Sequence, residues 1–182
     1  MNKPTREKSV RVFFALWPGE AGRGGLAAWQ PELHKLCGGR SMRAATLHST
    51  LVFLGDVAPH RLEALQLAAQ EVQGKSFELV FDVARYWGHN HIVYAAPHIV
   101  PPQLVQLVHD LEQRLSKHRF RFDQHTFKPH VTLLRHAQWS DAPLPEMDKV
   151  KWRCRNFALL QSAPDAEGAN YRVLGRFALR SA

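Results

Sequence analysis

Residues 46–55 read TLHSTLVFLG and residues 127–136 read FKPHVTLLRH. Each stretch holds a histidine, one intervening residue, a threonine and a leucine: His48-Ser49-Thr50-Leu51 and His130-Val131-Thr132-Leu133. Both motifs open apolar runs that read as buried strands. Successive strand side chains point to opposite faces, so His48 and Thr50 share a face, as do His130 and Thr132. A lone His-x-Thr is most often a hydrogen-bonded histidine at a sheet surface. Two of them in matching contexts instead suggest two sheets that aim two imidazoles and two hydroxyls at one place.

The surrounding pattern supports a mixed architecture. VRVFFALW (10–17) reads as a strand, and the following EAGRGGLAAWQPELHKLC (20–37) as a helix weakened or broken by Gly22, Gly24, Gly25 and Pro31. Residues 59–73 form an amphipathic helix with Leu62, Leu65, Ala69 and Val72 on one face. FELVFDVARYW and HIVYAAP read as two strands joined around Gly88-His89-Asn90. A helix over 101–118 places Leu104, Leu107, Val108, Leu111 and Leu115 together, with proline at its start. Strands follow at 129–135, 153–162 and 171–180, separated by loops rich in Pro, Asp and Gly. The order suggests a duplicated α+β architecture, each half a small helix-covered sheet, folded around a shared cleft.

At 182 residues the chain suits one domain, residues 1–182, with residues 1–8 as a flexible, solvated tail. Its apolar fraction of 45% and charged fraction of 22% exclude a disordered or collagen-like chain. No run reaches the roughly 20 apolar residues of a membrane span, and the start lacks the apolar centre of a secretory signal. Cys37 and Cys154 are too few for a disulfide framework and too far apart for a zinc ligand pair, which fits a cytoplasmic setting. A net charge of +8 favours polyanionic partners without naming one.

Two histidines that titrate near neutrality provide one base and one acid, the pair needed to activate a nucleophile and protonate a leaving oxygen. Threonine hydroxyls beside them can donate to phosphate oxygens as charge builds up. His89 and His91 form a second close pair, but no carboxylate or cysteine lies at a supporting interval for a metal. Arg114, Lys117, His118, Arg119 and Arg121 form a basic run at a helix end, suited to the helix dipole or to an RNA backbone.

FFALWP, LHSTLVFLGDV, FKPHVTLLRHA and GANYRVLGRFAL together resemble the two-histidine phosphoesterases, and within them the bacterial RNA 2′,3′-cyclic phosphodiesterases, also described as 2′-5′ RNA ligases. The resemblance implies a duplicated, bilobal α+β fold, two antiparallel sheets flanked by helices around a central groove, and hydrolysis of RNA 2′,3′-cyclic phosphate ends to 2′-phosphomonoesters, with no metal or other cofactor. His48 becomes the proton donor, His130 the proton acceptor, and Thr50 and Thr132 the phosphate ligands. Arg135 joins them at the phosphate, although strict alternation would turn it away from His130. Phe13 or Phe14 would supply a stacking surface for a base, with core packing the fate of at least one. The implied partners are RNA with cyclic phosphate ends, such as tRNA halves, or cyclic nucleotides, acted on by a monomer. Two other readings compete: a metal-dependent phosphohydrolase that uses other histidines, and an RNA-binding module without chemistry.

Overall fold

A computed structural model describes residues 7–182; most of the expected N-terminal tail lies outside them. Ten strands and four α-helices follow the anticipated order: β1 Val10–Leu16, α1 Glu20–Ala27, α2 Gln30–Cys37, β2 Arg40–Ser41, β3 Ser49–Val57, α3 Leu62–Gln70, β4 Phe77–Phe81, β5 Val83–Trp87, β6 Ile92–Ala96, α4 Pro102–Lys117, β7 Val131–Arg135, β8 Val150–Cys154, β9 Asn156–Ser162 and β10 Tyr171–Ala178. The weak first helix is indeed broken in two, at Ala28 and Trp29. The single strand expected over 153–162 is also two, β8 and β9, and they belong to different sheets.

One antiparallel sheet runs β10-β9-β1-β3 and carries the first motif; a second runs β2-β7-β6-β5 and carries the other. A β4-β8 ribbon lies beside them, an addition to the two sheets read from the sequence. The halves correspond: β1, α1–α2 and β3 in one, β6, α4 and β7 in the other, each a pair of antiparallel strands joined through helix.

The sequence suggested that each half covers its own sheet. α4 and the α1–α2 pair are instead exchanged, while α3 stays on the sheet of the strand it follows. α4 packs on β3 and α3, and α3 on β10, so they cover the first sheet. α1 and α2 pack on β8, β2 and β7, beside the second. The Gln30 side-chain amide of α2 donates to the carbonyls of Met42 and Leu133, tying that helix to the strand of the second motif. Glycines fit this contact: a Cβ at Gly25 would lie 2.9 Å from Val150 of β8. Leu104, Leu107, Leu111 and Leu115 of α4 are fully buried, in one continuous core with Phe14, Leu33, Phe81 and Leu133. At about 25 cal/mol per Å² of apolar surface, such burial is the main stabilising term.

Candidate active site

The groove faces of the two sheets carry the motifs at equivalent places. In β3, Leu51 is an extra residue opposite β1: Thr50 pairs with Ala15 and Val52 with Phe14. In β7, Leu133 is an extra residue opposite β6: Thr132 pairs with Tyr94 and Leu134 with Val93. A β-bulge resets the alternation, so two consecutive residues bury their side chains. Leu51 and Val52 do so in one sheet, Leu133 and Leu134 in the other. The residue three after each motif threonine therefore returns to the groove. That residue is Phe53 in β3 and Arg135 in β7, and both line the cavity that holds His48, Thr50, His130 and Thr132. Arg135 thus faces the histidines against strict parity, for a physical reason. Gly39 packs directly behind it: with φ +82°, it sits where a Cβ would lie 2.4 Å from the Arg135 carbonyl oxygen.

Both imidazoles are held alike. His48 Nδ1 lies 2.8 Å from the Thr46 carbonyl, and His130 Nδ1 lies 2.8 Å from the Lys128 carbonyl. A carbonyl only accepts, so each Nδ1 carries the hydrogen and each neutral Nε2 presents a lone pair. Each motif histidine is thus locked in one tautomer by the backbone two residues upstream.

Aromatic rings flank both. Phe13 and Tyr171 pack against His48 with ring centroids at 5.1 and 5.0 Å, and Trp17 stands at 6.1 Å. Trp87 and Tyr94 meet His130 edge-on at 4.8 and 5.7 Å. Burial among these rings pushes His48 down from 6.5 to about 4, with the charges of His130 and Arg135 adding to it and the Thr46 hydrogen bond opposing. His130 is lowered as well, chiefly by burial and then by His125, against the pull of the Lys128 carbonyl. Tyr171 is raised by burial.

The cavity is about 340 Å³, the size of a small-molecule site. Arg11 and Arg135 bring positive charge to it, and Arg11 stacks over Phe53 at 4.9 Å. Thr50 and Thr132 line it with the two histidines.

Phe13 reaches the cavity, but it is 4% exposed and its ring is engaged by His48 and Tyr171. Phe14 points to the other face of β1 and is fully buried against Phe157 and Phe177, so it is not a stacking surface. Phe53 and Tyr171 were not singled out in the sequence; Phe53 was legible as the counterpart of Arg135 in the repeated motif. His89 and His91 lie in the β5–β6 turn, where His91 meets the Tyr86 hydroxyl at 3.0 Å. No group of three or more metal-ligating side chains converges among the described residues, there or elsewhere. The basic run at the end of α4 is partly neutralised: Arg114, Lys117 and His118 all reach Glu71.

A family model described as the 2′-5′ RNA ligase superfamily matches residues 18–166, both motifs included. The chain belongs to that superfamily. Among its relatives, the RNA 2′,3′-cyclic phosphodiesterase of Escherichia coli strain K12 is 30% identical over 170 residues, covering 93% of this chain and 96% of the relative. The protein of the same description from Thermus thermophilus is 26% identical, covering 94% and 91%. The crystal structure of E. coli LigT complexed with 3′-AMP superposes with a TM-score of 0.85 at 28% identity, covering 94% of this chain and 99% of that one. The superfamily's bilobal α+β fold is therefore the fold of this protein.

Proposed function

We propose that this protein hydrolyses RNA 2′,3′-cyclic phosphate ends to 2′-phosphomonoesters by general acid and base catalysis between His130 and His48. The observation that carries the reading is the matched pair of imidazoles in one cationic cavity, each pinned through Nδ1 so that Nε2 is left for proton transfer. His130 Nε2 takes a proton from a water that attacks phosphorus. A P–O bond to that water forms, the bond to the ribose O3′ breaks, and His48 delivers the proton that O3′ requires. Thr50 and Thr132 donate to the non-bridging oxygens, and Arg135 counters the charge that grows there. The relatives' description as RNA 2′,3′-cyclic phosphodiesterases supports the substrate class.

Before substrate binds, His48 holds a proton poorly, because burial disfavours the imidazolium. The cyclic phosphate is an anion, and in so shielded a place its attraction for imidazolium is strong. Substrate thus brings the acid into its working state. The same pair working in the same direction, with a 5′-hydroxyl in place of water, joins two RNA ends through a 2′-5′ linkage: His130 takes the hydroxyl proton, the new P–O5′ bond forms, and O3′ leaves with the proton from His48.

The reading takes the 182 residues as one catalytic unit, a monomer in the cytoplasm, needing no cofactor. No helix among the described residues is long and apolar enough to cross a membrane. The test is product analysis on an oligoribonucleotide with a 2′,3′-cyclic end, in EDTA. A 2′-phosphate product is expected. A 3′-phosphate product, or loss of turnover on chelation that added metal restores, overturns the assignment.

A further inference from the structure

A cyclic phosphate terminates an RNA strand at its 3′ side, so any substrate longer than one nucleotide must leave the groove on the 5′ side of the bound nucleotide. Arg11 lines the catalytic cavity at one end; Trp17, the first residue past β1, lies outside its lining but next to two residues that belong to it, His48 and Tyr171. At the Arg11 end the next surface includes Asp56, and Asp165 and Glu167 hold Arg43 nearby, so the field there is mixed. The Trp17 end is different.

Trp17 neighbours residues of one cavity and lines another. One side of it approaches His48 and Tyr171, with ring centroids at 6.1 and 6.0 Å. It also lines a second cavity of about 710 Å³, larger than the catalytic one. The wall of that cavity comes from β8 and the start of β9. Strand alternation there buries Trp152 and Cys154 and turns Lys151, Arg153 and Arg155 outward together. Arg176 of β10 adds a fourth cation, donating to the Trp17 carbonyl at 3.3 Å. Glu78 is the one carboxylate among the described residues that line it, and it pairs with Lys151 at 3.7 Å. Arg153, Arg155 and Arg176 form no ion pair with any described residue. Three arginines without counter-ions provide charge for a phosphate backbone, beside an indole already covered on its ring by the Arg23 guanidinium at 4.9 Å.

We propose that this cavity is a strand subsite: single-stranded RNA on the 5′ side of the reacting nucleotide passes Trp17 and lays its phosphates against Arg153, Arg155 and Arg176. The proposal rests on the groove being the cyclic phosphodiesterase site, and it deepens that reading from a terminal nucleotide to a polynucleotide substrate.

The test compares Arg153→Ala/Arg155→Ala with Arg119→Ala/Arg121→Ala, which removes the same charge from the surface beyond α4. Binding of a 5′-fluorescein-labelled single-stranded decaribonucleotide with a 3′-phosphate is followed by anisotropy at several salt concentrations. The first variant is expected to bind about tenfold more weakly at low salt, with a shallower salt dependence. The second is expected to bind as the parent does, and Arg153→Lys/Arg155→Lys to recover most of the affinity. For turnover, KM for a cyclic-ended oligonucleotide should rise in the first variant while kinetics on a 2′,3′-cyclic mononucleotide stay within twofold of the parent. Equal weakening in both alanine variants, no weakening in the first, or parallel loss on mononucleotide and oligonucleotide would overturn the subsite. If the parent leaves the cyclic mononucleotide untouched, it is the reading of the groove that fails, and the binding comparison still decides the subsite.

Discussion

Phe53 and Arg135 occupy the same position in the two halves of the molecule. Each lies three residues beyond its motif threonine and is returned to the groove by a single extra leucine, Leu51 or Leu133. One half thus offers an aromatic face and the other a guanidinium. Arg135→Met keeps much of the side chain's bulk while removing the charge, and kcat/KM is expected to fall about 100-fold, in line with the loss of one transition-state donor. Inhibition by inorganic phosphate should weaken in parallel. Steady-state kinetics with phosphate as competitor checks both.

Replacement of either imidazole removes a proton carrier. His48→Ala and His130→Ala should each lower kcat by about 10²–10⁴-fold on a cyclic mononucleotide, and the double variant should fall little further, because the pair acts as a unit. Undiminished hydrolysis in either single variant would sink the acid and base assignment.

Both histidines are lowered in the free protein, His48 to about 4. The profile of kcat/KM, which reports free enzyme, should therefore be a bell with its maximum below pH 6.5. The bell for kcat should lie at higher pH, because bound phosphate favours imidazolium. Initial rates across pH at low and at saturating substrate separate the two.

Stability carries the same signature. The unfolded chain takes up its imidazole proton near pH 6.5 and folded His48 only near 4, so between those values the unfolded state binds more protons. Stability contributed by the neutral ring is whole above pH 6.5, declines as pH falls toward 4, and is flat beneath, a loss of about 3 kcal/mol. His130 adds to it with the same sign. Denaturant melts across this range should show the decline, and His48→Asn should flatten it.

The exchange of helices predicts one unfolding transition rather than two. Leu111→Ala on α4, a fully buried position, should cost about 2–5 kcal/mol. Fluorescence of the tryptophans and far-ultraviolet circular dichroism should lose signal together, at the same denaturant concentration.

The elements themselves were legible where periodicity is strong, as in the five buried aliphatic residues of α4. Fold class and the motif histidines followed from a repeat that a reader can spell out. Arg135 was harder, since alternation counts residues and a bulge is a pairing event between strands: nothing inside VTLLR says that Leu133 will be skipped by β6. The repeat held a partial clue, because Leu-Leu-Arg after one motif matches Leu-Val-Phe after the other, and both put two core residues in succession. Phe14 shows the converse. Alternation alone separates it from Phe13, but which of the two faces the groove depends on how β1 lies between β9 and β3. The exchanged helices were out of reach, because amphipathic stripes state that a face is buried and never against which sheet.

That exchange has a mechanical outcome. α4 is continuous with the half that supplies His130, yet it braces the strand that begins beside His48, while α1 and α2 do the reverse. The two halves are clasped like hands with crossed thumbs. Pulling them apart would strip both sheets of their backing at once, so widening the gap between the two motifs carries the cost of uncovering the core.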